Sequence, residues 1–152
     1  MNQIETVPLP PLPSVPGVQE IRYAGFWMRV AAGILDSIIV SAAMGVCTAF
    51  ASMVGIYLPN NNTLVTAVAV LFTGAYSVFL ESSSRQATVG MMAFGMRVTD
   101  YQYQRISLEK AIVRFLSEYV STAVVIGFIM IAFTKRKQGL HDIIAETLVV
   151  VG

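Results

Sequence analysis

Three charged residues could do chemistry in this largely apolar chain: Arg29, Asp36 and Asp142. Asp36 heads a run from Ser37 to Leu80 that contains no Asp, Glu, Lys or Arg. A carboxylate at the centre of a membrane helix costs roughly 2.5–3.5 kcal/mol on insertion scales, so it must be paired, hydrogen-bonded, or used to carry a cation or proton. Arg29 and Asp36 are seven residues apart and share a helix face, since seven steps of 100° fall about 20° short of two turns. Their Cα atoms would lie about 10.5 Å apart along the axis. Helical side chains lean toward the N-terminus, so Arg29 points away from Asp36. Each therefore needs another partner, and Asp142, in Gly139-Leu140-His141-Asp142, is the acid best placed for Arg29.

The same span carries small residues every fourth position: Gly33, Ser37, Ser41, Gly45 and Ala49. Such spacing lets another helix approach closely, so the stripe is expected to pack either against the second span of the same chain or against a second copy. Other arrangements point away from catalysis. Gly90 and Gly95 have the glycine spacing of a phosphate loop, but Met96-Arg97 stands where Lys-Ser/Thr is required. His141 is the one histidine, expected to bond the backbone, and scattered carboxylates around it do not make a metal site. No catalytic residue, metal ligand or cofactor-binding residue is expected, and no enzymatic activity.

The elements that must hold these residues are those of a membrane protein. Hydrophobic residues make up 55% of the 152, charged residues 12%, and mean hydropathy is +0.67, whereas soluble domains are about a quarter charged. The single Cys47 excludes an internal disulfide, the N-terminus does not read as a signal peptide, and a net charge of +1 gives no reason to expect a nucleic-acid partner. One crossing needs about 20 residues; Pro59-Asn60-Asn61-Asn62-Thr63 divides the uncharged run into spans of 28–57 and 64–81. All basic residues lie outside 37–80, so the positive-inside rule puts both flanks in the cytoplasm. Phe26 and Trp27 supply an aromatic belt.

The apolar segment Phe115–Thr134 is followed by Lys135-Arg136-Lys137. It is expected to be re-entrant or spanning; some 27 helical residues reach only about 40 Å, too short to cross twice. A break near Gly127 would return the chain to the cytoplasm. Residues 82–105 and 142–151 read as a cytoplasmic cap, with short strands at Met96–Thr99 and Thr147–Val151. Residues 1–20, rich in proline, read as a disordered tail. The fold class is thus an all-α helical membrane protein with two transmembrane helices, a third apolar helical segment, and a small cap containing short strands.

These segments together resemble the RDD family of membrane proteins over about residues 22–151. Tyr23-Ala24-Gly25-Phe26-Trp27-Met28-Arg29-Val30-Ala31-Ala32-Gly33-Ile34-Leu35-Asp36 looks like the family's first helix, with Arg29 and Asp36 as its R and first D. Thr88-Val89-Gly90 through Gly95-Met96-Arg97-Val98 resembles its Thr-Pro-Gly-Lys turn and Gly-x-Arg-Val, with Val89 for Pro and Met91 for Lys. Lys135-Arg136-Lys137-Gln138-Gly139-Leu140-His141-Asp142 looks like its basic tail, Asp142 being the second D. The resemblance implies a helical membrane module, with transport suggested for some members, and no reaction. Two functions follow as expectations. One is a bacterial inner-membrane module, N-terminus cytoplasmic, whose Arg29/Asp36/Asp142 cluster serves assembly or interaction, its partners being the lipid bilayer, a second copy or another membrane protein. The alternative is a small cation, proton or solute transporter, working as an oligomer with Asp36 as carrier.

Overall fold

The computed structural model describes residues 21–56, 62–123 and 126–152, and side chains at 122–129 are not among them. The expected proline-rich tail and most of the asparagine turn lie outside these residues. In chain order the elements are β1 (Arg22–Tyr23), α1 (Phe26–Met53), α2 (Asn62–Glu81), α3 (Val89–Ala93), β2 (Met96–Asp100), α4 (Leu108–Ala123), α5 (Ile126–Phe133), α6 (Leu140–Ile144) and β3 (Thr147–Val151).

The two long helices are membrane helices. α1 has 28 residues and reaches about 42 Å; α2 has 20 and reaches about 30 Å, the thickness of a hydrocarbon core. Their large apolar side chains point outward: Val46 is 71% exposed, Phe50 66%, Leu71 72% and Phe79 69%. In water this would be an uncovered apolar surface of a size that soluble monomers avoid; against lipid it is the ordinary outer face. α1 starts two residues earlier and ends four earlier than the expected 28–57.

The cap contains an antiparallel sheet of order β1-β3-β2. β2 pairs with β3 from Met96↔Val151 to Asp100↔Thr147, and β1 adds Arg22↔Val151 and Tyr23↔Val150. β3 is central, which suits its unbroken Thr147-Leu148-Val149-Val150-Val151 run: Thr147, Leu148 and Val149 are all buried. The strands at 96 and 147 match the sequence expectation, whereas β1 was not anticipated. The fold is therefore helical with a three-stranded sheet. Ala24, Ala32, Val78, Met96, Val98, Ile106, Ala111 and Val149 form one core where the sheet meets the ends of the helices.

This sheet fixes the path of the chain. β1 precedes α1, β2 follows α2 and β3 closes the chain, so the start of α1, the end of α2 and the C-terminus share one side. The segment from Leu108 to Phe133 must leave and return to that side, as a re-entrant segment does. Of its described parts, α4 packs on α2 and α6, and α5 packs on α4, α1 and α6. The expected break near Gly127 adjoins residues 124–125, which lie outside the described residues. After α5 the Thr134 hydroxyl accepts from the Gln138 amide at 2.7 Å, and Gln138 Nε2 donates to the Thr147 carbonyl at 2.9 Å, tying the returning chain to β3.

Single cysteines placed on a Cys47→Ala background test this path. An impermeant maleimide should reach Gln102→Cys and Gly152→Cys from one side of the membrane and Thr63→Cys from the other. Labelling of Gly152→Cys together with Thr63→Cys would refute the shared sheet.

Candidate functional site

Arg29 is the fourth residue of α1, placed where the helix emerges from the sheet. It is 7% exposed and Asp142 fully buried. The guanidinium Nη1 donates to Asp142 Oδ2 at 2.5 Å, Nη2 to the Lys137 carbonyl at 2.7 Å, and Nε to the Ala24 carbonyl at 3.3 Å. One rigid fork of donors thus binds the start of α1 to the turn before α6. Asp142 Oδ2 also accepts from the Gly139 amide at 3.0 Å, capping its own helix. Its Oδ1 takes Arg114 Nε at 3.3 Å. Arg114 in turn donates through Nη1 to both Glu81 oxygens, at 2.6 and 2.7 Å.

The result is a chain of alternating charge, Arg29–Asp142–Arg114–Glu81, that joins α1, α6, α4 and α2. Desolvation of such ions is offset only when their hydrogen bonds are filled, as these are. Burial alone would raise the Asp142 carboxyl; Arg29 first, then Arg114, outweigh it and bring it down to about 2. Arg29 and Asp142 were expected to pair, but Glu81 and Arg114 were missed. Glu81 had one signal: it is the first charge after the uncharged run.

His141 lies in the same knot. Its Nδ1 is 3.3 Å from Ser121 Oγ and its Nε2 is 3.5 Å from Asp142 Oδ1. These contacts bring Ser, His and Asp together. Ser121 is fully buried, and Asp142 is held by Arg29 and Arg114. Burial pushes the imidazole down, Asp142 pulls it up less, and Arg114 and Arg29 push it further down, to about 4. A neutral ring of such low basicity is a packed hydrogen-bonding group, poorly matched to base catalysis at neutral pH.

Asp36 belongs to a second knot, apart from the Arg29–Asp142 pair. Oδ1 accepts from Tyr76 Oη at 2.6 Å and from the Gly90 amide at 2.7 Å; Oδ2 accepts from Thr88 Oγ1 at 2.6 Å. Tyr76 Oη also accepts from the Val89 amide at 3.0 Å. Thr88 is the N-cap of α3, its hydroxyl accepting from the Met91 amide. A Cβ on Gly90 would strike the Ala32 carbonyl and come within 2.7 Å of Asp36 Oδ2. Glycine is required there because backbone meets backbone. The Thr88-Val89-Gly90 segment is thus a latch onto α1.

Between α1, α2 and α4 lies a cavity of about 740 Å³ lined by Asp36, Ser37, Ser41, Tyr76, Phe115 and Glu118 among others. Of the two partners expected for the small-residue stripe, the second span lies across this cavity from it. Gly33, Ser37, Ser41 and Gly45 line the opening; a Cβ on Gly33 or Gly45 would meet nothing within 4 Å, and Ala49 is exposed. The close helix contact instead uses Gly74 of α2, where a Cβ would come within 2.6 Å of the Phe115 ring of α4. Ser37 Oγ donates to the Gly33 carbonyl at 2.8 Å and Thr48 Oγ1 to the Gly45 carbonyl at 2.9 Å, so these hydroxyls offer the cavity lone pairs.

The sequence profile of the RDD family matches residues 23–146. The chain is 34% identical over 147 residues to the uncharacterized protein YxaI of Bacillus subtilis (strain 168), covering 84% of this chain and 96% of that one. It is 31% identical over 134 residues to the uncharacterized membrane protein YteJ of the same organism, covering 84% and 80%. The uncharacterized protein YckC, also of Bacillus subtilis, is 30% identical over 132 residues, covering 83% of each chain. No solved structure matches.

Two measurements test the knots. Arg29→Ala and Asp142→Ala should each destabilise the detergent-solubilised protein by about 3–5 kcal/mol, and the double variant by little more than either. Additive losses would show that the contact carries no stability. For His141, the folded value near 4 lies below the ordinary 6.5, so the unfolded chain binds the extra proton and stability falls as pH drops from about 6.5 to 4. Thermal unfolding across that window should show a slope that His141→Gln removes; an unchanged slope in the variant would place its origin elsewhere.

Proposed function

The chain belongs to the RDD family, and on that premise we propose that it is an integral membrane module for assembly, built to present a helix face to a second copy of itself. The observation that carries this reading is the saturation of its acids. Both oxygens of Asp36 and of Asp142 are taken up by donors from the protein. Acids used in this way position elements. Among the described residues no helix closes on Gly33 or Gly45 of the stripe on α1, while small residues at four-residue spacing favour close approach of a further helix. The buried Ser121–His141–Asp142 set supports a role without catalysis.

The cap lies on the cytoplasmic side of a bacterial inner membrane in this reading. Arg22, Arg85, Arg97, Arg105 and Lys110 all belong to its strands and connections or to the start of α4, and basic loops stay inside.

Transport of a cation or proton is the second reading, and the cavity favours it. Asp36 and Glu118 both line it, with serine and threonine oxygens along its wall. Such a carrier must release Tyr76, Thr88 or Gly90 from Asp36 to accept its cargo.

The readings are separated by two assays. With Cys47→Ala as background, oxidative cross-linking in membranes should join Ser41→Cys chains into dimers and spare Val46→Cys, which lies about 140° away around α1. Equal cross-linking at both positions, or none at Ser41→Cys, would defeat the assembly reading. In liposomes containing a pH-sensitive dye, the assembly reading expects no cation-dependent proton flux. Flux in the native protein that Asp36→Asn abolishes would establish transport.

A further inference from the structure

The segment between α5 and α6 carries Lys135, Arg136 and Lys137, all exposed. Among the described residues no ion pair involves any of them, and the one acid close by in sequence, Asp142, is committed to Arg29 and Arg114. Three adjacent unpaired cations repel one another, so their free energy falls when an anion comes between them.

Their place in the fold is fixed by backbone contacts. The Lys137 carbonyl accepts from Arg29 Nη2, and the Lys137 ammonium overhangs the start of α1, 3.6 Å from where a Cβ of Gly25 would be. Phe26 and Trp27 follow at once, their rings in edge contact at 5.1 Å. Trp27 is 78% exposed and Phe133, at the end of α5, is 84% exposed. The Arg136 guanidinium lies 5.6 Å from the Tyr101 ring centroid, on the cap side. The end of α5 and the beginning of α1 therefore reach the same level, with apolar aromatic surface on the membrane side and cations on the cap side.

We propose that Lys135, Arg136 and Lys137, with Trp27 and Phe133 beneath them, form a binding site for the phosphate headgroup of an anionic phospholipid in the leaflet facing the cap. An exposed Trp sits at headgroup depth by preference, and a juxtamembrane cluster of Lys and Arg attracts anionic lipid. The site commits to lipid over free phosphate because its lower wall is apolar and faces the acyl region. It is independent of whether the small-residue stripe pairs two copies.

Trp27 is the single tryptophan of the chain, so its fluorescence reports on the lipid next to the site. The full-length protein is reconstituted into phosphatidylcholine vesicles containing a fixed fraction of phosphatidylglycerol, with brominated chains on one lipid or the other. Brominated phosphatidylglycerol should quench Trp27 beyond its bulk fraction, corresponding to an anionic preference on the order of tenfold. In the triple variant K135Q/R136Q/K137Q the two brominated lipids should quench equally at equal fraction. Those substitutions leave the Lys137 carbonyl in place, and thermal unfolding confirms that the variant is folded; Lys137→Gln alone serves if the triple variant is not. Adding inorganic phosphate at matched ionic strength should leave the native preference intact. Equal quenching in the native protein, a preference that persists in a folded variant, or selective loss to inorganic phosphate would each overturn the site.

Discussion

A buried guanidinium that must spend all its donors sets the form of this molecule. Arg29 is buried in the cap on the first turn of α1, where water cannot satisfy it, and no acid within reach on its own helix can do so. Its needs are met by Asp142, by the Lys137 carbonyl and by the Ala24 carbonyl. Two of those three lie over a hundred residues away. The C-terminal part of the chain is therefore obliged to come back to the beginning. The same return places β3 between β1 and β2.

Asp36 works in the opposite sense: it brings a connection down onto the helix. A carboxylate with three donors is satisfied whether or not a cation is near, so α3 is bound to α1 without a basic partner. The bare α-carbon of Gly90 allows its amide to reach Oδ1 past the Ala32 carbonyl. The two knots use different chemistry for one purpose. One balances charge across four helices, and the other surrounds a single charge with neutral donors.

Much of this was legible from the residues. The seven-residue offset of Arg29 and Asp36 precluded their pairing and sent Arg29 toward Asp142, and the two longer strands stood out as β-branched runs. Other features left no readable trace. Arg114 is one of several basic residues in a mixed segment, and only its burial against Glu81 marks it. β1 is two residues long, too short for any periodicity. The small-residue stripe looked like a packing face, yet Gly74, isolated and outside any repeat, is the residue on which two helices close. Spacing reports what a helix face permits; which face is used depends on where α4 is held, and the Glu81–Arg114–Asp142 links decide that.

The depth of Asp36 follows from the same geometry. The first turns of α1 are embedded in the cap, with Ala32 and Arg29 buried beneath α3 and α6. From Ser37 to Met53 the helix has no charged side chain and reaches about 25 Å, near the lower limit for one crossing. Asp36 thus marks the level at which α1 passes from protein into lipid. A carboxylate at that boundary is far less costly than one at the bilayer centre, and hydroxyl and amide donors suffice to hold it. The cavity passes this level, reaching from Arg29, Glu81, Arg114 and His141 on the cap side past Asp36 to Ser37, Ser41 and Gly45. Asp36 stands in its wall, with the latch of Thr88 and Gly90 directly behind.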